Sequence, residues 1–170
     1  MAKEIFYSKT KINNRDYLIA STNLGLAFVG CQNGNMNELN SFFKHDKLGY
    51  NDELNKQYIK ELREYLEGIR TTFDMQLDVS GTEFQKQVWD QLREIPYGRL
   101  SSYSEIANKI NRPKAVRAVG TAIGRNPVSI IVPCHRVLAK NGTLGGYRGG
   151  LAMKQELLNL EKEVSEHVTV

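Results

Sequence analysis

The chain has 170 residues, with 23 Lys and Arg against 19 Asp and Glu and a formal charge of +4. Its 41% hydrophobic and 25% charged residues are those of an ordinary globular protein and exclude a disordered or fibrous chain. Two cysteines, Cys31 and Cys134, exclude a disulfide scaffold and paired zinc-ligand spacing, and no apolar run approaches the roughly 18 residues of a membrane span.

The stretch Met1 to Thr10 is polar and lacks the apolar core of a secretion signal. A cytoplasmic protein with free thiols is therefore expected. Ile5-Phe6-Tyr7, Tyr17-Leu18-Ile19 and Leu24 to Val29 are β-type runs, the first two joined by a turn at Asn13-Asn14-Arg15-Asp16. Met36, Leu39, Phe42 and Phe43 share one face of a short helix. Leu54, Tyr58, Leu62, Tyr65, Leu66 and Ile69 share one face of a longer helix. Phe73, Met75, Leu77 and Val79 alternate with polar residues, the pattern of a half-buried strand. Ser80-Gly81 is the boundary: residues 1–80 make an α/β domain and 82–170 a mainly α domain.

In the second domain Thr82 and Gln85 have capping-box spacing, ahead of Phe84, Val88, Leu92 and Ile95 at helical spacing. Phe84 and Trp89 are core candidates. Pro96-Tyr97-Gly98 ends this helix. Ser102 and Glu105 open another, which must stop near Asn111 because Pro113 follows. A third fits Lys114 to Gly124, and with its predecessor it makes a helix-turn-helix pattern. The apolar run Val128 to Val132 is expected as the strand delivering Cys134. Glycines 142, 145, 146, 149 and 150 make a flexible loop. A last helix covers Leu151 to Glu161, with Leu151, Leu157, Leu158 and Glu161 near one side.

Charge divides with the domains. Residues 1–80 hold 10 basic and 11 acidic residues, whereas 99–148 hold nine basic residues and one acid, Glu105. Such a concentration fits a polyanionic partner, nucleic acid first, or a solvated face. The third helix carries Ala115, Ala118, Gly120, Ala122 and Gly124 with Arg117 and Arg125. Small side chains suit tight helix packing or close approach to a nucleic-acid groove.

The outstanding segment is Pro133-Cys134-His135-Arg136. A nucleophilic cysteine works as a thiolate, and neighbouring His or Arg lowers its pKa. On an extended chain Cys134 and His135 would point to opposite faces, so His135 serves Cys134 only if the chain turns or a water bridges them. An inert buried thiol is the bland alternative. Cys31 has no partner but distant His45, so no metal site is expected.

This segment resembles the active-site signature of the methylated-DNA–protein-cysteine methyltransferases. Arg117-Ala118-Val119-Gly120, Asn126-Pro127, Gly146 to Ala152, Lys154 to Glu161, and Ser102-Tyr103 after Pro96-Tyr97-Gly98 resemble the family at similar spacing. The similarity is strong over 82–161 and extends to the first half only in layout. It implies a ribonuclease-H-like first domain and a winged helix-turn-helix in the second. It implies a DNA repair protein that takes an alkyl group from O6-alkylguanine, or O4-alkylthymine, onto Cys134 in one irreversible turnover. His135 would take the thiol proton through a water, oriented by Glu161. Asn126 would fix the turn before Cys134, and Tyr103 would donate to N3 of the departing guanine. Arg117 would fill the space of the flipped base, with Ala115, Ala118, Gly120 and Arg125 at the minor groove. Gly145, Tyr147, Arg148 and Val137 would line the base pocket. No cofactor is implied, and the partner is double-stranded DNA bound by a monomer. A helix-turn-helix regulator with a redox-sensitive thiol and a hydrolytic Cys-His enzyme are the alternatives.

Overall fold

The computed structural model describes residues 2–168. The chain divides between Val79 and Ser80 into two compact units. Among the described residues no helix is long and apolar enough to cross a membrane.

The first unit is a mixed four-stranded sheet in the order β3-β2-β1-β4. Strands β1 (Glu4–Ile12) and β2 (Arg15–Ser21) form an antiparallel hairpin with Ile12 opposite Arg15. The turn residues Asn13 and Asn14 both have positive φ, 51° and 65°. That is the geometry a two-residue hairpin turn requires, and asparagine tolerates it. Strand β3 (Leu26–Val29) pairs antiparallel with β2, and β4 (Lys47–Tyr50) pairs parallel with β1. Helix α1 (Met36–Phe42) closes over the sheet, so that Ile5, Leu18, Ala20, Phe28 and Leu39 form a core. Helix α2 (Asp52–Leu66) packs against β1 and β2 through buried Leu62 and Tyr65.

Two expectations for this unit are corrected. The helix α2 stops before Ile69, which is 71% exposed, because Gly68 turns the chain at φ 79°. The alternation at 73–79 does not make a full strand. Only Leu77 bridges Leu26, with hydrogen bonds Leu26 N to Gln76 O and Asp78 N to Leu26 O. Here β3 is too short to template more, although Phe73, Met75 and Leu77 keep their half-buried alternation. Strand β4, with its exposed ends and a glycine, has no alternating signal in the sequence.

In the second unit helix α3 (Glu83–Arg93) starts at a complete capping box, Thr82 with Gln85. Trp89 is buried and its Nε1 donates to the Ala122 carbonyl at 2.9 Å, tying α3 to helix α5 (Val116–Gly124). Phe84 is only half-buried, under the Arg112 guanidinium. Ser102 caps helix α4 (Tyr103–Lys109), but Glu105 accepts from the Ser101 hydroxyl rather than completing a box. Asn111, at φ 62°, turns the chain between α4 and α5. The pairs Ser101 with Val137 and Ser102 with Leu138 form a parallel bridge of strands β5 (Ser101–Ser102) and β6 (Val137–Leu138).

The expected strand at 128–132 is absent. Val128 makes only a single bridge, the bonds that follow are local, Ile131 N to Ser129 O and Val132 N to Val128 O, and buried Ile130 sits at φ 75°. Local turns have replaced strand pairing, and a β-branched residue in the left-handed region is costly, on the order of 1–3 kcal/mol. Helix α6 runs from Leu151 to Val168. Its buried face is Met153, Lys154, Leu157 and Glu161, whereas Leu151 is exposed. Leu157 and Glu161 lie on the buried face as expected, whereas Met153 and Lys154 take the places expected for Leu151 and Leu158.

Candidate active site

Cys134 opens a single 3₁₀ turn, Cys134–Arg136, rather than ending a strand. All three residues of the turn are buried. The turn supplies the change of direction that an extended chain would deny to His135.

Asn126 lies just beyond α5 and is 1% exposed. Its amide donates to the Val132 carbonyl at 2.9 Å and contacts Cys134 Sγ at 3.3 Å, while its oxygen accepts from Val128 N at 2.9 Å. One side chain therefore holds both ends of the irregular 128–134 segment. This is the job that strand pairing was expected to do.

His135 Nε2 lies 2.6 Å from Glu161 Oε2 on α6. Glu161 also accepts from Arg136 Nε at 2.8 Å, from Arg136 Nη2 at 2.9 Å and from Gly98 N at 3.1 Å. Burial would push the Glu161 carboxyl up, but the bonds from His135 and Arg136 override it and hold it down to about 2. Glu161 is 1% exposed. His135 is pushed below its ordinary value by burial, against the pull of Glu161. It therefore stands as a neutral imidazole beside a carboxylate at neutral pH.

The sequence suggests a lowered thiol pKa, and the structure reverses this. Burial pushes Cys134 up, and the Asn126 contact and the charges of Arg148 and Lys154 only partly offset it. The resting group is a neutral thiol, and it needs a base at the moment of attack.

The glycine loop is held at two points. Lys154 Nζ, reaching from α6, donates to the carbonyls of Val137 (2.6 Å), Gly146 (3.2 Å) and Leu144. Arg148 Nη2 donates to the Asn126 carbonyl (3.1 Å) and to Ser129 Oγ (2.8 Å). Tyr103 stands between α5 and this loop. A Cβ added at Gly120 would meet its ring at 3.8 Å, and one at Gly145 would meet its hydroxyl at 3.1 Å. Gly145 is at φ 68°, so glycine is needed there for both backbone and space. Burial raises the Tyr103 phenol, and a Gly146 backbone bond opposes the rise, so it stays a protonated donor. Arg117, Ala118 and Arg125 are exposed on and just beyond α5, and Ala115 and Gly120 are half-exposed. Val137 is fully buried and Tyr147 is half-buried.

The fold thus gathers Cys134, His135, Glu161, Asn126, Tyr103 and Arg148 around one buried thiol. Arg117 and Arg125 stay on the surface. Two buried charged groups fall in stretches the sequence singles out, but it does not show what they bind. Arg136 looked like a charge neighbouring the cysteine, yet it is buried on Glu161. Lys154 looked like part of a polar helix, yet it is 0% exposed. Its three- and seven-residue spacing to Leu157 and Glu161 puts it on their helix face. Elsewhere, Cys31 Sγ donates to Glu38 at 2.7 Å. Among the described residues no three potential metal ligands gather.

Residues 83–163 match the model of the 6-O-methylguanine DNA methyltransferase DNA-binding domain. Over 98% of its length the chain is 49% identical to the inducible methylated-DNA–protein-cysteine methyltransferase of Bacillus subtilis, covering 95% of that protein. Over 85% of its length it is 45% identical to the Methanosarcina acetivorans enzyme of that name, covering 90% of it. In three dimensions it resembles Mycobacterium tuberculosis OGT in complex with DNA, with a TM-score of 0.77, 36% identity and coverage of 95% and 94% of the two chains.

Proposed function

The chain belongs to the methylated-DNA–protein-cysteine methyltransferase family, and from that premise we propose the residues through which it works. The protein repairs DNA by transferring an alkyl group onto one of its own cysteines. The acceptor is Cys134, and the observation that carries this assignment is the buried Cys134–His135–Glu161 array, closed at 2.6 Å between the last two.

The substrate is O6-alkylguanine in double-stranded DNA, with O4-alkylthymine a further candidate. The Cys134 sulfur attacks the alkyl carbon in line. A bond forms from sulfur to carbon, the carbon–O6 bond breaks, and its electron pair leaves on the guanine. The thiol proton passes through a water to His135, whose lone pair is available because the imidazole is neutral. Tyr103 donates to N3 of the base and offsets the charge that builds there. The thioether is not cleaved, so each molecule acts once, without cofactor.

The base must leave the stack to reach a buried thiol, and flipping costs a few kcal/mol, least for a damaged pair. Arg117, exposed on α5, fills the vacated space. Ala115, Ala118, Gly120 and Arg125 meet the minor groove. Gly145, Tyr147, Arg148 and Val137 surround the flipped base. The parallel placement of β4 beside the β1–β2 hairpin supports a ribonuclease-H-like first unit. Helices α4 and α5 with the β5–β6 bridge support a winged helix-turn-helix in the second. Two free thiols suit a monomer working in a reducing cytoplasm.

The test is intact and peptide mass spectrometry after mixing with O6-methylguanine DNA. One methyl group should appear on the Cys134 peptide and none in Cys134→Ser. Transfer that survives this substitution would overturn the assignment.

A further inference from the structure

The Glu161 carboxylate receives more donors than orienting one imidazole requires. It accepts from His135, from Gly98 N and twice from the forked guanidinium of Arg136. Arg136 is itself held in place. Its Nη1 donates to the Ile95 carbonyl at 2.7 Å, and its guanidinium lies over the Tyr97 ring at 5.5 Å. Arg136 is 7% exposed and Glu161 1%, so this is a buried ion pair with the bidentate geometry only arginine provides.

Resting on the alkyl-transfer reading above, we propose that Arg136 is a positioning residue that keeps His135 a neutral base with its proton on Nε2. The argument is one of charge balance. A carboxylate with four donors can only accept, so the hydrogen on the 2.6 Å contact belongs to His135 Nε2. The imidazole lone pair then sits on Nδ1, the one nitrogen able to take the thiol proton. The charged and titratable groups around the ring are Glu161 and Lys154 from α6, Arg136 and Cys134 beside it in the turn, and Tyr97 under the guanidinium. With Arg136 present, Glu161 is already neutralised, and a second cation on His135 would lack a counter-charge in a buried site. Without Arg136, His135 becomes the nearest cation for Glu161. An imidazolium then forms, which cannot accept a proton.

The test is the single-turnover rate of methyl transfer from O6-methylguanine DNA, followed from mildly acidic to alkaline pH. In Arg136→Gln the midpoint of the rise should move to higher pH, with transfer at neutral pH slower by about tenfold for each unit by which the midpoint comes to exceed the assay pH, and recovery in alkali. In Arg136→Lys, which keeps the charge and loses the fork, the midpoint should stay near that of the parent while the plateau falls. A folded Arg136→Gln that loses rate equally at every pH would overturn the proposal. Should Arg136→Gln not fold, ¹⁵N NMR of His135 in the unaltered protein decides, its signals identified by their loss in His135→Gln. A neutral, Nε2-protonated ring is expected at neutral pH, and an imidazolium or an Nδ1-protonated ring overturns the proposal. Failure of the alkyl-transfer reading itself would appear separately, as no methyl on the unaltered protein.

Discussion

In the first unit the deepest polar cluster is uncharged. Asn55 accepts from the Ser21 hydroxyl at 2.5 Å and donates to the Phe6 carbonyl and to Ser8 Oγ. In the second unit the buried cluster is ionic, with Glu161, Arg136, His135 and Lys154 all under 10% exposed. The amide cluster joins α2 to two strands and needs nothing more than mutual satisfaction. Burying ions costs several kcal/mol each before their attraction is counted. A chain that already owns an inexpensive polar mortar gains nothing for its fold from the second kind. On the proposed reading the ions serve Cys134 and His135.

The largest effect expected from breaking this contrast is at Glu161. Glu161→Gln leaves Arg136 charged and unpaired in the interior, which should cost about 3–5 kcal/mol in denaturant unfolding. It should also stop transfer. The same group predicts an acid limit. Its carboxyl is held at about 2, below its unfolded value of about 4.3, so its contribution is complete above that value. The contribution fades as pH falls through the folded pKa. Stability followed by circular dichroism should therefore decline between about pH 4 and 2, and less so in Glu161→Gln. Next is Asn126→Ala, which strands Val128 N and the Val132 carbonyl. A loss of about 2–3 kcal/mol is expected, with transfer reduced further than stability alone explains. In the first unit Asn55→Ala should cost about 1–3 kcal/mol in the same unfolding measurement. Its folded molecules should still accept one methyl group each by mass, and a folded variant that failed to do so would dissolve the contrast. Smallest in stability is exposed Arg117→Ala, within about 0.5 kcal/mol. It should slow transfer more than it weakens DNA binding, measured at matched salt because the basic face displaces counterions.

Signals confined to a few neighbouring residues were legible in the sequence. The Asn13-Asn14 turn and the Thr82–Gln85 capping box are decided by local backbone chemistry, and both form as expected. The candidate site was legible through Cys134, His135, Glu161 and Asn126, because the resemblance supplied partners that spacing could not. What escaped was set at long range. Arg136 bonds Ile95 across 41 residues and Glu161 across 25, and nothing local marks such a pairing. The run Val128 to Val132 has strand composition, but Asn126 captures its backbone and turns it inward. The thiol pKa escapes the sequence for a related reason. Neighbours in sequence suggest charges, whereas burial, the dominant influence, depends on the whole fold.

The β5–β6 bridge is only two residue pairs long, Ser101 with Val137 and Ser102 with Leu138. Tyr103 follows one rung directly, and Cys134 precedes the other by three residues. The bridge therefore acts as a gauge block between the group that would meet the base and the group that would receive the alkyl carbon. A slip of one residue would shift one jaw against the other by about 3.3 Å and turn its side chains to the opposite face. One added residue between Ser102 and Tyr103, or between Arg136 and Val137, would leave every part present and the tool out of calibration.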